Sequence, residues 1–148
     1  MPINVLIDTN VLVYAHDRSE PLKQVQALQV LDRLQVTESG AFSVQSLSEF
    51  FIAVTRRVKP PISPDDAARQ VERLIRSWAI LDLTPMTVLE ATRGVRAHQL
   101  SYWDAQIWAV ARLNQIPVVF TEDFPSARAI EGVRFTNPFA SDFDLARW

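Results

Sequence analysis

The stretch that decides the fold is residues 3–10, Ile3-Asn4-Val5-Leu6-Ile7-Asp8-Thr9-Asn10. Its apolar, mostly β-branched run predicts a strand that is buried on both faces, as in a parallel α/β sheet. Asp8 follows that strand directly, and Thr9 and Asn10 suit a turn or a helix cap. Because ligands of open α/β sheets bind beyond the carboxyl ends of the strands, Asp8 is a candidate site residue as well as a candidate helix cap.

The rest of the chain alternates strands with helices. Further strands are predicted over 41–44, 79–83, 117–121 and 133–135, with a short helix or turn over 11–15 and helices over about 22–34, 46–58, 63–78, 87–98, 101–114 and 126–130. Such alternation predicts parallel strands joined by right-handed crossovers. With the first strand central, we expect a three-layer α/β fold whose sheet of four to five strands has the order 3-2-1-4-5 and helices on both faces.

Length and composition indicate one globular domain over residues 1–148. The chain is 148 residues long and 48% hydrophobic, so it can bury a core of ordinary size. It has no cysteine, which excludes disulfides and thiolate metal sites. Its start lacks a basic signal-peptide region, and its apolar runs are shorter than the roughly 18 residues that cross a bilayer. We therefore expect a soluble protein of the cytoplasm.

The charge is nearly balanced but unevenly distributed. The formal net charge of -2 argues against non-specific electrostatic binding of nucleic acid by the whole surface. Thirteen of the fifteen basic residues are arginines, and several of these cluster, as at Arg56 and Arg57 or at Arg69, Arg73 and Arg76. Arginine can bind two phosphate oxygens at once, although solvated helix faces explain any single arginine equally simply.

Four acids fall at positions that this fold brings to one edge of the sheet. Asp8 ends the first strand and Asp123 follows the fourth, so both should reach the crevice between these neighbouring strands. Glu49 and Asp104 are each predicted in the first turn of a helix near the same edge. The acid at 104 also opens a helix that is apolar almost all round, which should draw it inward.

Helix capping is the competing interpretation of two of these acids. The patterns Ser46-x-x-Glu49 and Ser101-x-x-Asp104 resemble capping boxes, and Ser63-Pro64-Asp65-Asp66 is a good helix start of this kind. Capping explains each pattern alone but not the acids at the ends of strands 1 and 4, so a shared site is favoured. His16 and His98 have polar neighbours and are predicted at the surface, not as metal ligands.

A cluster of carboxylates predicts a cation. Four negative charges in one cleft repel each other and raise some pKa values, and hard divalent ions such as Mg²⁺ and Mn²⁺ relieve this with oxygen ligands. One divalent ion would leave a charge near -2, which would repel a phosphate substrate. We therefore favour two-metal hydrolysis of a phosphodiester, in which one ion activates water and the other stabilises the leaving oxygen.

The ordered motifs resemble those of the PIN-domain family. They are Asp8-Thr9-Asn10, Ser46-x-x-Glu49-Phe50, Ser101-x-x-Asp104-Ala105 and Thr121-Glu122-Asp123-Phe124. The likeness covers essentially the whole chain, and in chain length and motif residues the chain most resembles the VapC-type toxins of bacterial toxin–antitoxin pairs.

The resemblance implies a PIN-like fold and a Mg²⁺- or Mn²⁺-dependent endoribonuclease. It also implies a homodimer that a small VapB-type antitoxin neutralises. By position, the metal-binding catalytic carboxylates are Asp8, Glu49, Asp104 and Asp123, and the supporting hydrogen-bonding residues are Thr9, Asn10 and Thr121. Glu122 competes with its neighbour Asp123, which is preferred because of its register after Thr121.

Other function classes remain open to different degrees. A phosphoacceptor signalling module would need a lysine at the pocket and an aspartate at the end of strand 3, where the sequence has Leu83-Thr84-Pro85. A PIN-like nuclease that is not a toxin, or a non-catalytic interaction domain on the same scaffold, are the alternatives that remain. The tail 138–148 is expected either to fold back onto the core or to meet a partner.

Overall fold

A six-stranded sheet forms the centre of the molecule. The computed structural model describes residues 2–124 and 128–148. The strands are β1 (Val5–Ile7), β2 (Gly40–Ser43), β3 (Ala79–Leu81), β4 (Val118–Phe120), β5 (Ala129–Ile130) and β6 (Val133–Thr136), in the order β3-β2-β1-β4-β6-β5. All neighbours pair in parallel except β5 and β6. The predicted order 3-2-1-4-5 is therefore confirmed, and an antiparallel edge strand is added to it.

The added strand corrects one predicted helix. The helix expected over 126–130 is wrong at Ala129–Ile130, which form β5, while residues 126 and 127 lie outside the described residues. The reason is the two-residue turn that follows, where Glu131 and Gly132 have φ values of 49° and 84°. Left-handed conformations at both central positions are typical of the tight turns that match the twist of a hairpin.

Helices cover both faces of this sheet. In the described residues they are α1 (Thr9–Tyr14), α2 (Pro21–Val36), α3 (Val44–Arg56), α4 (Pro64–Ser77), α5 (Pro85–His98) and α6 (Tyr102–Leu113), followed by a 3₁₀ turn at Leu145–Arg147. Three of them start with proline, whose missing N–H costs nothing in a first turn. None of the described helices is long and apolar enough to cross a membrane.

Helix α3 begins two residues earlier than predicted. Its N-cap is Ser43, whose hydroxyl accepts a hydrogen bond from the N–H of Ser46 at 3.2 Å. The prediction that Ser46 opens the helix is wrong, because the strand β2 runs directly into the cap. Glu49 consequently lies in the second turn, and its carboxylate does not serve as a capping-box acid.

The sheet divides the core into two layers. The side chain of Leu6 joins the layer of α5 and α6, whereas those of Val5 and Ile7 join the layer of α1 to α4 on the other face. This alternation is what a strand buried on both faces requires. In the first layer α6 is buried from Ala105 to Ala111, as its apolar sequence predicts.

The C-terminal tail folds back onto the second layer. The rings of Phe143 and Trp148 meet Phe120 of β4 edge-on, with centroids 5.5 Å and 4.8 Å apart. Of the two predicted roles for the tail, the structure thus shows the first. The fold brings the carboxyl ends of β1 and β4 side by side, and the functional site lies beyond them.

Candidate active site

An acidic cavity of about 350 Å³ opens between α1 and α3, at the carboxyl edge of the sheet. Three of the four predicted acids line it, together with two of the three predicted supporting residues. The full lining is Asp8, Thr9, Asn10, Val13, Tyr14, Asp17, Glu49, Ala53, Arg57 and Asp123. Residues that are far apart in the chain therefore converge here, as the strand order predicts.

Asp8 both caps a helix and presents a half-buried carboxylate to the cavity. One carboxylate oxygen accepts the N–H of Thr9 at 2.7 Å and caps α1, while the other accepts the hydroxyl of Thr121 at 2.8 Å. The pKa of this carboxyl is raised to about 6, chiefly by desolvation and to a smaller extent by the nearby charges of Asp123 and Glu49, while the two hydrogen bonds oppose the rise. The two interpretations of Asp8 are thus compatible.

The hydroxyl of Thr121 connects three parts of the site. It donates to Asp8 and accepts hydrogen bonds from the Asn10 side-chain amide at 3.1 Å and from the Asp123 N–H at 3.1 Å. The same amide group also donates to the Asp123 carboxylate at 3.2 Å. These contacts hold the ends of β1 and β4 in register, which is the supporting role predicted for Asn10 and Thr121. The Asn10 amide oxygen is buried and has no hydrogen-bond partner among the described residues.

Glu49 is held by two donors. The Thr9 hydroxyl donates to one of its carboxylate oxygens at 2.8 Å, and the Gln45 amide donates to the other at 2.8 Å. Thr9 therefore links α1 to α3 across the cavity. Of the predicted supporting residues, Thr9 donates its hydroxyl hydrogen bond to Glu49, and Thr121 donates its own to Asp8.

A relay of side-chain amides, which the sequence reasoning missed, extends from Glu49 to α6. The Tyr102 hydroxyl donates to the Gln106 amide oxygen at 3.0 Å, and the Gln106 amide nitrogen donates to Gln45 at 2.6 Å. Gln45 in turn donates to Glu49, so the relay fixes the orientation of both amides. The sequence contains a signal for this relay, because Gln106 is a polar residue within the apolar run of α6. The structure buries it, and a buried amide needs hydrogen-bond partners.

The adjacent acids Glu122 and Asp123 have different surroundings. Glu122 accepts the Tyr14 hydroxyl at 2.5 Å and pairs with the Lys23 ammonium at 2.9 Å, whereas Asp123 lines the cavity. The bonds to Glu122 and to the Tyr14 hydroxyl raise the pKa of Lys23 and keep it charged. This arrangement supports the preference for Asp123 as the site carboxylate, and it brings a lysine nearer to the site than its helical sequence indicated.

Asp104 is the predicted acid that does not line the cavity. It lies in the first turn of α6, half-buried, and its N–H donates to the Ser101 hydroxyl at 3.2 Å. Helix α6 packs on the face of the sheet opposite to α3, so its first turn reaches the carboxyl edge from the other side. The expectation that the apolar helix draws Asp104 into the interior is wrong, because burial begins one residue later, at Ala105.

The donor chemistry fits a hard divalent cation, but the side chains do not enclose one. Within residues 2–124 and 128–148, no three His, Cys, Asp or Glu side chains stand close enough to hold a metal ion. The cavity nevertheless presents four carboxylates, those of Asp8, Asp17, Glu49 and Asp123, and their oxygens are the ligand atoms that Mg²⁺ and Mn²⁺ prefer. The two histidines lie elsewhere: His16 stacks edge-on against Phe50, and His98 pairs with Glu131.

Fold and cavity together define an α/β protein with an acidic site between the first and third helices. The sequence profile of the family described as PIN domain matches residues 5–129. The chain therefore belongs to the PIN-domain family. A comparison with curated protein sequences gives no significant match.

Solved structures with a similar fold include several toxins. A toxin-antitoxin complex from Klebsiella pneumoniae is 17% identical with a TM-score of 0.66, covering 92% of this chain and 98% of that one. The DNA-bound VapBC of Salmonella typhimurium gives the same four values. VapC20 of Mycobacterium tuberculosis, described as a sarcin-ricin loop cleaving toxin, is 21% identical with a TM-score of 0.63 over 88% of this chain and 99% of that one. At these identities the likeness establishes the fold.

Proposed function

We propose that this PIN-domain protein is a metal-dependent endoribonuclease and the toxin of a VapBC-type toxin–antitoxin pair. The observation that carries the proposal is the convergence of Asp8, Glu49 and Asp123 on one cavity. Within the described residues none of these three carboxylates forms an ion pair, although arginines are numerous. Unpaired acids at one site are costly, and a divalent cation compensates them.

The proposed ion is Mg²⁺ or Mn²⁺, and its proposed ligands are Asp8, Glu49 and Asp123, whose side chains would have to draw closer together around it. Asp104 is the fourth proposed carboxylate, on the strength of the family resemblance. When bound, the metal would supply the activated water and the charge that stabilises the leaving oxygen of a phosphodiester. The chain's own contribution is orientation: Thr9, Thr121 and the amide relay donate hydrogen bonds that hold the carboxylates of Asp8 and Glu49 in place.

The toxin assignment rests on the neighbours. The solved structures with this fold include a toxin-antitoxin complex, a VapBC assembly and VapC20, a sarcin-ricin loop cleaving toxin. By analogy the partners of this chain are an RNA substrate, a VapB-type antitoxin and a second copy in a homodimer, and its location is the cytoplasm. Proteins that share one fold can have different functions, so the analogy needs a direct test.

The experiment compares Asp8→Asn with Asp32→Asn, a matched substitution at an exposed acid of α2. Purified wild type and the Asp32 variant should cleave cellular RNA in Mn²⁺, and the Asp8 variant should not. Expression of the wild-type chain alone should arrest bacterial growth, whereas the Asp8 variant should be harmless. Cleavage that survives in the Asp8 variant contradicts the nuclease proposal, and cleavage without growth arrest would leave a PIN nuclease that is not a toxin.

A further inference from the structure

Among the described residues, one cationic side chain, that of Arg57, lines the acidic cavity. Glu49 and Ala53 of α3 and Arg57, the residue that caps its C-terminus, follow each other at intervals of four residues, and all three line the cavity. Residues four apart on a helix share a face, so the same face carries a proposed site carboxylate at one end and an arginine at the other. The backbone N–H of Arg57 donates to the Ala53 carbonyl at 2.8 Å, which continues the helical geometry to this residue.

Arg57 is exposed and makes no ion pair with any described residue. Arg93 and Arg112 differ from it, since each binds carboxylates of Glu90 and Glu131. An acidic residue, Asp17, also lines the cavity, yet its carboxylate bonds to Ser19. The guanidinium at 57 is therefore available to a ligand in the cavity.

The spacing along α3 separates the two ends of the cavity. Eight helical residues between positions 49 and 57 advance about 12 Å, at 1.5 Å each. A phosphate held at Arg57 would thus lie beyond the phosphate that meets the carboxylates, further along the same strand. Such a second contact matters here because an acidic cavity repels a polyanion, and arginine binds phosphate oxygens through a planar fork.

We infer that Arg57 is a substrate-binding residue that holds a non-scissile phosphate of the RNA strand lying in the α1–α3 cavity. The inference rests on the proposed ribonuclease function and adds the direction in which the strand runs, along α3 away from Glu49. Arg57 acts as a binding residue and takes no part in the bond cleavage itself.

The test compares Arg57→Gln with Arg56→Gln and Arg57→Lys. Arg56 is the adjacent exposed arginine, which ends α3 and does not line the cavity, so it controls for a loss of one positive charge. Binding is measured by fluorescence anisotropy with a labelled 20-nucleotide single-stranded RNA of mixed sequence in EDTA. We expect Arg57→Gln to weaken binding on the order of tenfold at low salt, and to reduce the slope of log affinity against log salt by about 0.7. The Arg56 variant should change neither value, and Arg57→Lys should keep the salt slope but bind more weakly than wild type.

Cleavage kinetics give a second readout. Arg57→Gln should raise KM for cellular RNA and leave kcat within about twofold, because the interaction is present before and during the reaction alike. RNAs shortened from one end should abolish the difference between wild type and this variant, and shortening from the other end should not. The melting temperature should be unchanged, since this guanidinium forms no ion pair or hydrogen bond with any described side chain.

The failures of the two proposals are distinguishable. If wild type binds and cleaves RNA while Arg57→Gln and Arg56→Gln behave alike, the inference about Arg57 is overturned and the nuclease stands. If wild type neither binds RNA in the anisotropy assay nor cleaves it in Mn²⁺, both are overturned. A fall in kcat with unchanged KM would also contradict the binding role.

Discussion

Two acid-rich regions of the molecule differ in their counter-charges. The first is the cavity with Asp8, Glu49 and Asp123. The second, which we call the ion-pair cluster, joins α5, α6 and the β5–β6 turn through Glu90, Arg93, His98, Arg112 and Glu131. There the Arg112 and Glu90 side chains approach to 2.9 Å, as do those of Arg93 and Glu131, and the His98 ring lies 2.6 Å from Glu131.

The contrast appears in the proton affinities of the two regions. The bonds from Arg93 and His98 hold the pKa of Glu131 at about 2, whereas burial raises the pKa of Asp8 to about 6. The chain thus pairs acids with cations where helices are fixed to the turn, whereas Asp8, Glu49 and Asp123 form no ion pair with any described residue. This difference indicates that the acidity of the cavity is functional, since stability alone would favour pairing.

The largest expected effect is the loss of cleavage in Asp8→Asn, by about a thousandfold or more. The amide keeps the cap on α1 but removes a charge that the cation needs. Single-turnover cleavage of RNA in Mn²⁺ measures it. Asp104→Asn is expected to abolish cleavage as well, and full activity in that variant would show that the acid outside the cavity is not part of the site.

The next effect is on stability without metal. Because the folded pKa of Asp8 lies above its unfolded value of about 4, the fold binds that proton more tightly, and stability falls as pH rises from about 4 through 6. At neutral pH the cost is about 3 kcal/mol. Urea unfolding in EDTA should therefore show that Asp8→Asn is the more stable chain at pH 7 and loses this advantage near pH 4. Equal stability of both chains at pH 7 would contradict the burial of a charged Asp8.

A smaller loss is expected from breaking the amide relay. Gln106→Leu should reduce cleavage 10- to 100-fold, as is typical when a group that orients a metal ligand is removed. Gln45→Leu should have a similar effect, and the double variant should lose no more than one of them, because both act on Glu49 through one chain of hydrogen bonds. Additive losses would mean that the two amides act separately.

The smallest effect concerns the ion-pair cluster. Glu131→Gln should cost about 1 kcal/mol, since its partners are partly exposed and screened. The pH dependence is opposite to that of Asp8. The folded pKa of Glu131 is lowered, so its ion pairs stabilise the folded chain above pH 4.5, the ordinary pKa of the group, and this stabilisation is lost as the pH falls towards 2. Urea unfolding should show that Glu131→Gln is less stable than Glu20→Gln, an exposed control, at pH 7. This difference in the free energy of unfolding should shrink in about 1 M salt.

Much of the fold follows from local sequence, and part of the site does not. The strand at 5–7 and the acid after it could be predicted because a buried parallel strand and a strand-end carboxylate are both encoded within eight residues. The antiparallel strand β5 could not, because it depends on left-handed φ values at Glu131 and Gly132. The placement of Asp104 outside the cavity also escaped prediction, since it depends on which face of the sheet α6 covers and where its burial starts.

The central claim is that the carboxylates of the cavity bind a divalent cation, and a Mn²⁺ titration tests it most directly. Isothermal titration calorimetry and thermal unfolding at pH 7.5 should compare wild type with Asp8→Asn after EDTA treatment. We expect saturable binding to wild type and a rise in its stability of about 2.7 kcal/mol at 100 times the dissociation constant, with neither effect in the variant. Equal responses of the two chains, or no binding to wild type at millimolar Mn²⁺, would contradict the account.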